Sequence, residues 1–94
     1  MTKITKIQAK KIAKKYHINL DIVPLDMVVY GLNVELEHGK INKLTNVSND
    51  NLDITTKIFL AHVMEFPDYY IYLKKMEDKL EAKWENKQKP NLFI

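Results

Sequence analysis

The sequence predicts an all-α fold, one compact domain of about four helices with the third at its centre, and three observations carry that expectation. The 94 residues include only 2 Gly and 3 Pro, so helix-breaking residues are scarce. With 46% hydrophobic and 29% charged residues, the chain belongs to the ordinary globular class rather than the disordered one. Four stretches place apolar residues at helical spacing, separated by Pro, Gly and Asn-rich segments. The length suits a single core, so residues 1–89 are expected to form one domain followed by a short tail over residues 90–94.

The first helix opens at Thr5-Lys6-Ile7-Gln8, which fits a capping box, and runs to about His17. Ala9, Ile12, Ala13 and Tyr16 share its apolar face, while Lys3, Lys6, Lys10, Lys11, Lys14 and Lys15 fall on the opposite arc. His17 reads as a helix-end residue placed to interact with the last carbonyls. Pro24 and Asp26 suit the first turn of a second helix over residues 24–38, ended by Gly39 in a left-handed cap. Leu25, Val28, Val29, Leu32 and Leu36 form its main stripe, and Met27, Tyr30 and Val34 add apolar surface on the far side. Gly31 in its interior suggests a close backbone approach or a tolerated defect.

Residues 40–53 hold four Asn and two Asp and read as a long ordered loop. Asp53 then suits the N-cap of a third helix running to about Phe66, apolar nearly all round. Pro67 ends it, and a fourth helix is expected over residues 67–86 with Tyr69, Leu73, Met76, Leu80 and Trp84 in one stripe. Leu92, Phe93 and Ile94 form an apolar end that can dock on the domain or on a partner.

Composition excludes several chemistries. Without Cys there are no disulfides, thiolate zinc sites or thiol nucleophiles. Ser48 is the only serine and lacks a Gly-x-Ser-x-Gly elbow, and no Gly-rich phosphate loop exists. The segment from Asn46 to Asp50 is no EF-hand, since it lacks the loop glycine and has Lys57 at the position of the bidentate Glu. No apolar run reaches the ~20 residues of a membrane helix and no secretory leader is recognisable, so a cytoplasmic protein without membrane contact is expected. All 15 basic residues are Lys, which gives diffuse attraction to phosphate without the planar fork that reads guanine.

One constellation can carry chemistry. The second helix ends in Glu35-Leu36-Glu37-His38 and the third contains His62-Val63-Met64-Glu65, so each holds a carboxylate and an imidazole three positions apart, in opposite order. In an antiparallel pair, facing residue numbers share one sum, which sets Glu35 opposite Glu65 and His38 opposite His62. Such a set resembles the carboxylate sites of helical bundles and suits Zn, Mn or Fe. The alternative is a structural network in which His62 and Glu65 satisfy loop amides or tyrosine hydroxyls. Tyr69, Tyr70 and Tyr72 form a second cluster, readable as a recognition patch, with Tyr69 facing the core and Tyr70 and Tyr72 bonding Glu or His.

The same segments carry a resemblance. Gly31-Leu32-Asn33-Val34-Glu35-Leu36-Glu37-His38-Gly39, then Thr45-Asn46-Val47-Ser48-Asn49-Asp50, then Ala61-His62, Glu65 and Pro67-Asp68-Tyr69-Tyr70 resemble a family of small proteins of unknown function from bacteria, phages and large DNA viruses. Its pattern reads G-x-x-V-E-L-E-H-G, T-N-V-T-x-D-D and K-I-A-x-A-H-L-x-E-x-P-D-Y-Y. The resemblance runs from the first helix through Glu77, with departures at Ser48, Asn51, Phe59-Leu60 and Val63. It brings no activity, but it marks Glu35, Glu37, His38, His62, Glu65, Asp68 and Tyr69.

The functional expectation is therefore a small non-enzymatic binding or accessory protein of phage or mobile-element context, with another protein as partner. Its polar recognition set is Glu37, Asn46, Asp50, Asp68, Tyr69 and Tyr70. The competing readings are a metal protein using Glu35, His38, His62 and Glu65, and non-specific nucleic-acid binding through Lys3, Lys6, Lys10 and Lys14.

Overall fold

The computed structural model describes residues 3–93 and contains four α-helices and no strand among them: α1 (Lys6–Lys15), α2 (Leu25–Leu36), α3 (Leu52–Glu65) and α4 (Tyr69–Trp84). Met1, Thr2 and Ile94, the last residue of the expected apolar tail, lie outside the described residues. A single 3₁₀ turn, Lys43–Thr45, sits in the Asn-rich loop.

Helix α1 begins with the full capping box: the Gln8 amide donates to the Thr5 hydroxyl, and the Thr5 amide donates to the Gln8 side chain. It buries Ala9, Ile12 and Ala13 against α2. Its end is a Schellman motif, with the Ile18 amide reaching back to the Ala13 carbonyl and the His17 amide to that of Lys14. His17 takes the left-handed backbone there (φ 56°) and leaves its ring exposed, so its contribution is conformational rather than a side-chain contact with the carbonyls. Ahead of α1, the Asn33 side chain clamps the backbone of Ile4 from both sides, accepting from its amide at 2.8 Å and donating to its carbonyl at 3.0 Å.

The centre of the bundle is α2, not α3. Helix α2 contacts α1, α3 and α4, and its buried residues are Val28, Gly31, Leu32, Glu35 and Leu36. Helix α3 buries Thr55, Thr56, Phe59 and Val63 and leaves Ala61 and Met64 outside, Met64 at 82% exposed. The reason is local. Thr55 and Thr56 return their hydroxyls to the carbonyls of Asn51 and Leu52, both at 2.8 Å, and so satisfy their own polarity on the inner face. With that face occupied by threonines, the apolar residues opposite point to solvent.

Two further expectations change. Asn51, not Asp53, caps α3, its side-chain oxygen accepting from the Ile54 amide. Asp53 lies in the first turn, where hydrogen bonds from Lys15 and Tyr16 hold its carboxyl below the usual range and tie α3 to the end of α1. Gly39 has no left-handed backbone; it is needed because a Cβ there would collide with the Asp50 carboxylate, which accepts from the Lys40 amide at 2.8 Å. The left-handed residues of this segment are instead Asn49 (φ 52°) and Asp50 (φ 60°), both types that tolerate it.

Gly31 is a close-approach glycine. A methyl there would stand 2.5 Å from the Phe59 ring and 2.9 Å from that of Tyr70. Overpacking of a filled core costs roughly 1–3 kcal/mol, against the ~1 kcal/mol that alanine gains over glycine inside a helix. Because both rings are fully buried, Gly31→Ala is expected to lower the urea midpoint; an unchanged or raised midpoint would show that the rings give way.

Candidate functional site

Glu35, on the last turn of α2, is only 4% exposed. A buried carboxylate is costly unless a donor answers it, and here the donor comes from α4, with an imidazole of α3 beside it. The Tyr70 hydroxyl of α4 donates to Glu35 Oε2 at 2.7 Å, and His62 Nδ1 of α3 lies 3.7 Å from the same oxygen. His62 Nδ1 also stands 3.3 Å from the Tyr70 oxygen and 3.1 Å from the Ile58 carbonyl. Since the Tyr70 proton is committed to Glu35, Nδ1 carries the proton that the Ile58 carbonyl accepts.

Aromatic packing fixes this network. Phe59 stacks on Tyr70 with centroids 5.0 Å apart, and Tyr69 stacks on the His62 ring at 4.4 Å. Tyr70 is 1% exposed. Burial, then the hydrogen bond to Glu35, pushes its phenol far above the ordinary tyrosine range, so it acts as a donor and not as a base. A second phenol bonds α2 to α4: Tyr30 donates to Glu77 at 2.8 Å, and burial followed by that bond likewise raises its pKa.

The four-ligand convergence expected from the residue sums does not form. The structure brings Glu35 to His62, the diagonal pair, whereas Glu65 and His38 are exposed. Helix α2 ends at Leu36, so His38 leaves the helical face, and its carbonyl instead accepts the amides of Val47 and Ser48. Among the described residues no group of three or more His, Asp or Glu side chains is placed to hold a metal ion. Two donors are fewer than the three or four protein ligands that Zn sites use, so the residues do not fit a Zn, Mn or Fe centre.

The recognition residues are distributed more widely. Asn46 accepts from the Asn49 amide at 2.8 Å, and Asp50 pins the start of the loop, so both are occupied in holding residues 40–51 in shape. Ser48 is buried in this loop, with no hydrogen-bond partner for its hydroxyl among the described residues. Glu37 is exposed at the end of α2. Asp68, ahead of α4, is also exposed and forms one wall of an open groove of about 420 Å³ with Phe66, Tyr69, Tyr72, Leu73 and Met76. Lys3, Lys6, Lys10 and Lys14 are all exposed, as an outward basic face of α1 requires.

Sequence reasoning missed Tyr30, Asn33 and the groove. Tyr30 had a visible signal, its place off the main stripe of α2. Asn33 had none, because its partner is backbone 29 residues away. The groove opens where Phe66 (55% exposed), Tyr72 (63% exposed) and Met76 (52% exposed) stand clear of the core beside the half-buried Tyr69 and Leu73.

Two measurements follow. A phenol whose folded pKa is raised contributes stability that is complete below the unfolded value of about 10 and is lost as pH rises beyond it. Tyr30 and Tyr70 are therefore expected to ionise only as the helical signal is lost; phenolate absorbance titrated beside circular dichroism checks this, and complete tyrosine ionisation near pH 10 with the helix intact would contradict it. The melting temperature is expected to be indifferent to chelator while His62→Ala lowers it. Stoichiometric Zn, Mn or Fe by elemental analysis, with a chelator-sensitive melt, would overturn the two-donor reading.

Among the described residues no helix is long and apolar enough to cross a membrane. No curated protein and no solved structure gives a match to the chain. A family model described as protein of unknown function (DUF5661) matches residues 9–79, which takes in most of α1, then α2, the Asn-rich loop, α3 and most of α4. The chain belongs to that family of proteins of unknown function.

Proposed function

We propose that this chain is a small non-enzymatic binding protein, an accessory factor of phage or mobile-element context, that takes its protein partner on the corner between α3 and α4. The observation that carries this reading is the open groove walled by Phe66, Asp68, Tyr69, Tyr72, Leu73 and Met76. Aromatic and Met side chains are enriched where proteins bind one another, and the size of this concavity suits an inserted side chain or a short helix face. The phage context rests on the sequence resemblance alone.

The buried network supports binding rather than catalysis. Tyr70 donates to Glu35 and His62 bonds the Ile58 carbonyl beside them, and the raised Tyr70 phenol offers neither a base nor a nucleophile at neutral pH. What the network does is fix the start of α4, which in turn fixes Tyr69 and Tyr72 along the groove. Tyr72, at 63% exposed, contributes little to the core and much to the surface.

The test is a titration with a Leu-rich amphipathic helical peptide, followed by amide chemical shifts. Shifts confined to residues 66–76, with affinity lowered at least about tenfold by Tyr72→Ala, are expected. Absence of saturable binding, or shifts centred elsewhere, would refute the groove as the recognition surface.

A second reading has its own observation, the four exposed lysines Lys6, Lys10 and Lys14 along α1 and Lys3 just ahead of it. If these neutralise four phosphates of duplex DNA, log affinity falls with log salt at a slope of roughly −3.6. A salt-independent affinity, or none at low salt, excludes it.

A further inference from the structure

The Asn-rich loop is closed on itself. Its ends meet where the His38 carbonyl accepts the amides of Val47 and Ser48, and Asp50 takes the Lys40 amide at 2.8 Å. Between them the Asn42 side chain accepts from the Leu44 amide at 2.9 Å and starts the 3₁₀ turn. Inside this pinned frame Ile41, Leu44 and Val47 are nevertheless 69%, 74% and 72% exposed. They recur every three residues, the repeat of the 3₁₀ turn at the loop's centre. One exposed aliphatic is ordinary on a protein surface, but three on one compact, closed loop mark a contact surface.

The charges among them are basic. Lys40 and Lys43 are exposed beside Ile41 and Leu44, and the exposed Lys3, ahead of α1, lines one cavity with Ile41. Glu37 is the carboxylate in that cavity. No acidic residue lies between Glu37 and Asp50 in the chain, and Asp50 is engaged with the Lys40 amide.

We infer that this loop is a membrane-contact site, with Ile41, Leu44 and Val47 entering the interface of an anionic bilayer and Lys3, Lys40 and Lys43 lying among its headgroups. Composition selects this partner. Protein interfaces favour aromatic residues, Met and Arg and are depleted in Lys, whereas residues 39–49 contain no Phe, Tyr, Trp, Met or Arg. A nucleic-acid backbone would engage the lysines and leave the aliphatic side chains in water. An anionic lipid surface engages both, because lysine stems lie along the apolar boundary while their ammonium groups reach the headgroups. The three aliphatic side chains carry less hydrocarbon than one myristoyl chain, which by itself binds membranes only marginally, so the lysines are the second signal that association requires. Because the loop is already held in shape, little ordering cost opposes binding. Contact of this kind needs no spanning helix, and none is found among the described residues; it revises the expectation, drawn from hydropathy, of a chain without membrane contact. The loop shares no lining residue with the α4 groove, so the inference stands apart from the recognition reading.

The test is co-sedimentation of the whole chain with vesicles of phosphatidylcholine alone and with about a third phosphatidylserine. Saturable partition onto the anionic vesicles, weakened by added salt, is expected, with little onto the neutral ones. Leu44→Asn, at an exposed position, is expected to lower the partition coefficient at least about tenfold with unchanged circular dichroism. Lys40→Glu combined with Lys43→Glu is expected to lower it by a similar factor. Met76→Gln, on the exposed face of α4, keeps the wild-type value. No partition of the wild type overturns the inference. So does partition indifferent to Leu44→Asn, which would be plain attraction to lysines, or partition lost in Met76→Gln instead. Amide shifts of residues 40–47 moved by the amphipathic helical peptide and not by vesicles would make the loop a protein-binding surface and overturn it as well.

Discussion

The hydrogen bond from Tyr70 to Glu35 is the constraint on which the rest of the domain turns. It places a carboxylate inside a small core, where an unmatched charge would cost several kcal/mol, and answers it with a phenol from α4, beside which lies the His62 imidazole of α3. Every neighbour is shaped by that decision. Gly31 lacks a side chain so that the Phe59 and Tyr70 rings can lie against α2. Tyr69 covers the His62 ring, and Pro67 ends α3 so that the chain can turn and bring Tyr70 inward. A bundle of this length has little apolar area to spare, and the bond ties α4 to α2 at the point where His62 of α3 packs against both.

The polar residues outside this network act mostly on backbone. Asn33 holds the segment ahead of α1, Asn51 caps α3, Asn46 closes a turn, and Asp50 takes the amide of Lys40. Such short side chains replace the backbone partners that a loop lacks. The Asn-rich loop is thus a built element. Apolar area stays exposed at Ile41, Leu44 and Val47 in the loop and on the outer face of α4, and the α4 face, with its groove, is where recognition is proposed.

Much of this was legible in the sequence, and the failures have physical causes. The capping box of α1 could be read because both partners lie within one turn. The residue-sum argument correctly brought the ends of α2 and α3 together but selected the wrong pairs, since it assumed both segments remain helical through His38 and α2 stops at Leu36. The central position went to α2 because its apolar residues occupy several faces while threonines line the inner face of α3, and average hydrophobicity does not distinguish a face that is buried from one that is merely apolar. Gly39 was read from the commonest use of glycine at a helix end, whereas its role depends on Asp50, 11 residues on. The stripe on α4 was found correctly; that its second half lacks a cover is a property of the assembled helices and is written in no local pattern.

The central claim is that Glu35 and Tyr70 are energetically coupled, and a double-mutant cycle measures that coupling directly. Glu35→Leu, Tyr70→Phe and the double variant are compared with wild type by urea unfolding. A hydrogen bond to a buried charge predicts a coupling of roughly 1.5–3 kcal/mol, with the double variant far more stable than the sum of the single losses because both polar groups are gone. Losses that add to within about 0.5 kcal/mol would contradict the account, showing that the two side chains fill space independently.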